Sequence, residues 1–273
     1  MQSAEQVNYA SVTFLFTSTL GFERTPYVEI NASMCRILFI ILAYVFSNNL
    51  FANNKIAKTT VVDNEWQANF ESKSLVRWSY ILHPQGIRLL PPPNEPSNTS
   101  AYIEIKGDAD YLWRGREDLN RVELQYKPIN TIDGSTTEVS WRFMLPELFS
   151  DDTHQIAYWE SDSSYQQSFR LQLNGENLSL VSSVDNKELW RISNIKAQHW
   201  YSINLSITWS ITQGSVDLAL DDEPQGRFVM PTLIAEDESM FFQLGILRHQ
   251  SSRVEAIWLD DIIVRNISTH QQP

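Results

Sequence analysis

The sequence predicts an all-β protein built as one antiparallel two-sheet sandwich. Three observations carry that prediction: about a dozen short segments alternate apolar and polar residues with period two, turn signals separate them, and no segment holds the period of a long helix. With 42% hydrophobic and 20% charged residues over 273 positions, the chain can bury a sizeable core. Acidic residues outnumber basic ones 33 to 21, a net charge of −12, which disfavours nucleic acid as a partner. The nine tryptophans all follow residue 60 and suit either a sandwich core or sugar-stacking platforms.

Residues 1–33 show no periodicity. Met34-Cys-Arg, the apolar run Ile37 to Phe46 and the polar stretch ending at Ala52 have the layout of a secretory signal peptide, too short for a comfortable membrane span. The expected organisation is an over-extended start over 1–33, a signal peptide over 34–52 and one β domain over 53–273. A buried N-terminal helix or membrane anchor is the alternative. Export would make the protein secreted or periplasmic, with no stable membrane insertion after cleavage. Removal of Cys35 would leave a mature chain without thiols or disulfides.

Scattered aromatics from Trp66 to Leu90 end at Pro91-Pro-Pro-Asn-Glu-Pro96, a surface loop. Ala101–Lys106 alternates as a strand. In Arg121–Tyr126, Arg121, Glu123 and Gln125 share one face while Val122, Leu124 and Tyr126 take the other. After the Gly134 turn, Val139–Leu145 is a strand stopped by Pro146. Strict alternation through His154–Trp159 puts Gln155, Ala157 and Trp159 on one side. Ser168–Leu173 and Leu178–Val181 flank Asn174-Gly175, a hairpin signal. Leu189–Ile192, Tyr201–Trp209, Val216–Leu220, Arg227–Met230 and Ile257–Val264 are further strands. In Met240–Gln250, Phe241, Gln243, Gly245, Leu247 and His249 share a face, a mix that suits either the floor of a groove or an ordinary solvated surface.

No phosphate loop, nucleophile elbow, zinc helix or Cys-x-x-Cys pair occurs, and the five histidines are widely spaced. No cofactor is expected and no metal ligand is assigned. A structural calcium is conceivable at Asp151-Asp152, Asp221-Asp222 or Asp260-Asp261, although such pairs are more often simply solvated.

Arg121-x-Glu123, Glu138-x-Ser-Trp-x-Phe-x-Leu-Pro146, Gln155-Ile156, Trp200 with Ile207-Thr-Trp-Ser210 and Gly214, Phe242-x-x-Gly-Ile246 and Trp258-Leu-Asp-Asp-Ile262 follow one another in an order that resembles the jelly-roll polysaccharide lyases. These are the relatives of heparin lyase I, glucuronan lyase and alginate lyase. The resemblance implies a concanavalin-like jelly roll whose groove holds a uronic-acid polymer. It also implies β-elimination, which needs a group to neutralise the uronate, a base for the C5 proton and an acid for the leaving oxygen. Arg121 and Gln155 match the neutralising residues. The family's histidine falls on Ala157, or on Trp159 in a shifted alignment, its lysine on Gln243 and its tyrosine on Leu247. His249, Tyr158 or Tyr165 would have to substitute, His249 being the weak catalytic candidate.

The expected substrate-binding residues are Arg121, Glu123, Gln155, Trp159, Gln243 and His249. Each has a plainer alternative: a structural Arg121–Glu123 pair, a groove-filling Trp159, an exposed His249. Three functions follow. They are a secreted polysaccharide-binding protein on a lyase fold, an active lyase with substitute residues, and a lectin-like adhesion module or glycoside hydrolase on a related sandwich.

Overall fold

The computed structural model describes residues 59–107, 111–113, 116–127 and 131–270. The expected signal segment at 34–52 and the stretch before it lie outside the described residues. Among the described residues no α-helix occurs, and none is long and apolar enough to cross a membrane. The strands are β1 (Thr59–Ala68), β2 (Tyr80–Leu82), β3 (Ile87–Leu90), β4 (Ser100–Ile105), β5 (Leu112–Trp113), β6 (Arg116–Tyr126), β7 (Thr136–Met144) and β8 (His154–Ser161). They continue with β9 (Gln167–Asn174), β10 (Asn177–Ser182), β11 (Lys187–Ile192), β12 (Trp200–Thr208), β13 (Ser215–Leu220), β14 (Glu223–Val229), β15 (Met240–His249) and β16 (Glu255–His270).

They form two eight-stranded antiparallel sheets. The first runs β14-β13-β12-β7-β16-β4-β3, with β1 also paired to β16; the second runs β11-β10-β9-β8-β15-β6-β2, with β5 on β6. Late strands insert between early ones: β16 lies between β7 and β4, and β15 between β8 and β6. That crossing is the connectivity of a jelly roll.

Alternation sorts the side chains. From β12, Tyr201, Ile203, Leu205 and Ile207 point inward, followed by Trp209. They meet Val122, Leu124, Phe169, Leu171, Phe242 and Leu244 of the opposite sheet in one apolar layer. Burying each such side chain contributes about 1.5–3 kcal/mol. The one polar atom of Trp209 is satisfied, its Nε1 donating to Thr137 Oγ1 at 2.8 Å.

The strands that the sequence leaves unmarked are short or out of step. β2 and β3 have three and four residues, too few for alternation to register, and β1 changes register between Val62 and Asn64.

A buried ionic cluster fastens one end of the sandwich. Glu255, at the start of β16, accepts a hydrogen bond from Ser150 N on Oε1 at 2.9 Å, while its Oε2 accepts from Arg248 Nη1 and lies 2.5 Å from His154 Nε2. His154 Nδ1 is 2.8 Å from the Asp152 carbonyl. All three side chains are nearly inaccessible, so the cluster joins the beginnings of β8 and β16 to the end of β15.

Candidate functional site

The outward face of the second sheet carries a polar floor assembled from β6, β15 and β8. On β6, Val122, Leu124 and Tyr126 fill the core, which turns Arg121, Glu123 and Gln125 outward. The antiparallel register then sets Gln243 opposite Gln125, Gly245 opposite Glu123 and Leu247 opposite Arg121.

The third strand departs from simple alternation. β8 is bulged between Gln155 and Ala157, so Ile156 and Ala157 both enter the core and the alternation restarts one residue late. Gln155, Tyr158 and Glu160 therefore face outward. Trp159, expected in the groove, is instead 0% exposed and lies between Phe169 and Phe242, with ring centroids 4.5 and 4.8 Å away.

Around Arg121 the polar groups close into one network. Its Nε donates to Glu123 Oε2 at 2.6 Å, and its Nη2 donates to the Tyr158 hydroxyl at 2.6 Å and to Gln243 Oε1 at 2.9 Å. Gln243 passes the chain on, its Nε2 donating to Glu160 Oε2. The Arg121 carbonyl accepts from, or lies against, His83 Nδ1 at 2.5 Å. Gly245 makes room for this packing: it has φ of +153°, and a Cβ there would stand 2.3 Å from the Val122 carbonyl oxygen and 2.8 Å from Glu123 Cα. No side chain fits without moving β6.

Burial sets the charges. It opposes ionisation of Arg121, but Glu123, the Tyr158 oxygen and Glu160 outweigh it and hold the guanidinium above its ordinary value. Burial also pushes the Tyr158 hydroxyl well up, aided by Glu123, so it stays protonated. Glu160 is raised from 4.5 to about 7, by burial first; Arg121 opposes the rise and Glu123 adds to it. A carboxyl raised in the folded state stabilises the fold below its unfolded value, and that contribution is lost as pH rises through the folded value. Glu160→Gln is therefore expected to melt higher than the unaltered protein at pH 8 and alike at pH 4, a difference that thermal unfolding at the two pH values reads directly.

Over this floor lies a cavity of about 460 Å³, walled by Tyr80, Tyr165, Gln167, Phe241 and Leu247 with Arg121, Gln243 and Glu160 below. A cavity of similar size, about 490 Å³, lies against Ser140, Ser206, Asp217 and Ala219 of the other sheet, where Arg265 is engaged by Glu65 at 2.6 Å. It has no buried charged network.

The structure thus brings together Arg121, Glu123 and Gln243 of the expected residues. Gln155 shares their face, one strand beyond Leu247, with its buried Oε1 unpartnered, but it does not line the cavity. His249 is exposed at the end of β15, opposite Leu119 and outside the cavity lining. Arg121 is a partnered cation under the floor rather than an open one. Glu160 was not expected at all, because only the bulge turns it outward.

Of the acidic pairs, Asp260 accepts from Asn98 and Ser100 at 2.6 and 2.7 Å, and Asp261 pairs with Arg142 at 2.8 Å. Among the described residues no group of three or more His, Cys, Asp or Glu side chains could hold a metal ion.

The family model described as polysaccharide lyase matches residues 77–263, which span the floor and most of both sheets. The chain belongs to the polysaccharide lyase family. No curated protein matches it. Among solved structures, alginate lyase Aly36B is 8% identical over 77% of this chain and 100% of that one, with a TM-score of 0.57. Alginate lyase AlgAT5 of polysaccharide lyase family 7 is 11% identical over 69% and 85%, with a TM-score of 0.51. The catalytic domain of a glycoside hydrolase family 131 protein from Coprinopsis cinerea is 15% identical over 76% and 94%, with a TM-score of 0.53. At such identities the likeness is one of fold. Ala157 and Trp159, the two positions on which the sequence resemblance sets the family's histidine, are both fully buried in the core, and Leu247, on which it sets the tyrosine, is an apolar wall of the cavity.

Proposed function

We propose that this is a secreted, lyase-like protein that binds a uronic-acid-containing polysaccharide in the groove of the second sheet, with the family's usual proton-transfer pair replaced. The observation that carries the reading is the Arg121–Gln243–Glu160 floor beneath an open cavity, flanked by exposed Tyr80 and Tyr165. Amide, carboxyl and guanidinium groups on a fixed floor suit sugar hydroxyls, and the tyrosine rings suit the apolar faces of pyranoses. Ala157 and Leu247 cannot carry protons.

A second reading, elimination, is favoured by Glu160. A carboxyl titrating at about 7 can act as a base near neutrality. It would take the C5 proton, the C–H electron pair would become the C4–C5 double bond, and the C4–O bond would break, its oxygen taking a proton from the Tyr165 hydroxyl or water.

One experiment separates the two. The protein is titrated with alginate and glucuronan oligosaccharides, binding is read calorimetrically, and near-ultraviolet absorbance is followed for the unsaturated product. Binding without absorbance change is expected, weakened in Gln243→Ala. A rise in absorbance that disappears in Glu160→Gln would establish elimination instead, and absence of binding to either polymer would refute both readings.

A further inference from the structure

Arg121 is neutralised internally by Glu123, which leaves open what would receive an anionic sugar. A second guanidinium stands on the same face. Arg170 of β9 is the register partner of Tyr158, and a continuous cross-strand row runs Tyr80, Gln125, Gln243, Tyr158, Arg170 from β2 to β9. Neighbouring strands lie about 4.8 Å apart, so the row spans about 19 Å, room for several sugar rings. At its β2 end stands exposed Tyr80; Gln167, on the same strand as Arg170, lines the cavity, and Arg170 itself stands half-buried just beyond the cavity lining, where the row continues past it.

The partners of Arg170 are all neutral. Its Nε donates to Gln172 Oε1 at 3.0 Å, its Nη1 to Ser183 Oγ at 3.1 Å, and its Nη2 to Asn186 Oδ1. Among the described residues no carboxylate offsets its charge, and burial alone lowers its proton affinity. Contrast Arg121, Arg142, Arg248 and Arg265, each paired with an acid. Three neutral acceptors fix the plane of the guanidinium while leaving its charge uncompensated, an arrangement that favours an incoming anion and holds the fork ready for it.

We propose that Arg170 receives the carboxylate of a uronic acid unit at the β9 end of the row, and so sets the preference for acidic over neutral polysaccharide. This rests on the groove being a polysaccharide site, and it moves the recognition of charge from Arg121 to Arg170.

The test compares an alginate oligosaccharide with its carboxyl-reduced, neutral counterpart, by calorimetric titration of the unaltered protein and Arg170→Gln. The unaltered protein is expected to prefer the acidic oligomer. Arg170→Gln is expected to lose about tenfold or more in affinity for it, as for a lost charge-assisted bond, and to bind the neutral oligomer as before. Equal losses for both oligomers, or no loss for the acidic one, would overturn the assignment while leaving the groove as a sugar site. Binding of neither oligomer by the unaltered protein would overturn the function itself. Should Arg170→Gln not fold, the unaltered protein answers alone: the acidic oligomer is expected to protect Arg170 from an arginine-specific dicarbonyl reagent, mapped by mass spectrometry, and the neutral one is not. Lack of protection by the bound acidic oligomer would likewise reject the proposal.

Discussion

Replacing Arg121 with methionine is expected to lower the unfolding free energy by about 3–5 kcal/mol, because it strands a buried carboxylate. Glu123 is 0% exposed, and its Oε1 has no hydrogen-bond partner. Its Oε2 loses the guanidinium that now lies 2.6 Å away. The same change removes the donor shared by Tyr158 and Gln243. Urea unfolding of Arg121→Met, read at constant m, gives the loss. The double variant Arg121→Met with Glu123→Leu is expected to recover most of it, since exchanging a whole buried pair for apolar groups is often near neutral. A single variant within about 1 kcal/mol of the unaltered protein would mean that the network carries no stability.

The cluster at the far end of the sandwich is expected to fail in acid. Burial works against ionisation of Glu255, but hydrogen bonds from His154, Ser150 and Arg248 and the charge of His154 win, and its carboxyl falls from 4.5 to about 2. Between those values the unfolded chain binds a proton that the folded chain does not. The contribution of Glu255 is therefore complete above about pH 4.5 and lost as pH falls through about 2, a difference of about 3 kcal/mol. Glu255→Gln is expected to be less stable by about 3–5 kcal/mol at pH 7, since Arg248 is left buried without its acid, and to show a shallower loss between pH 4.5 and 2. Urea unfolding at pH 7 and pH 3 measures both; an unchanged acid slope would assign the acid sensitivity to other groups. Glu160 works in the opposite sense, so the two carboxyls respond oppositely to acid.

The sandwich was legible because its strands are long and regular: Tyr201 to Trp209 alternates without a fault, and Asn174-Gly175 turns β9 into β10 with Gly175 at φ of +56°. The β6 and β15 parts of the floor were legible for the same reason. Arg121, Glu123 and Gln243 meet because period-two alternation holds through both strands. The β8 part was not. Nothing in Gln155-Ile-Ala-Tyr-Trp159 marks where the extra residue sits, so alternation assigns the indole to the wrong side and hides Glu160. Arg170 was equally hidden, since its neutral setting depends on Ser183 and Asn186 in a turn brought alongside by β10. The histidine at 249 illustrates the converse: its face was read correctly, but its position at a strand end leaves it outside the cavity.

The extra residue in β8 also governs how the chemistry of this groove can change. Removing one amino acid between Gln155 and Tyr158 would rotate everything after it by half a turn, exchanging a phenol and a carboxyl for an indole and a hydroxymethyl without any substitution. The same rotation would turn Tyr158 and Glu160 into the apolar layer where Trp159 now packs between Phe169 and Phe242, so the extra residue is what lets β8 present a carboxyl to the groove and keep an indole in the core.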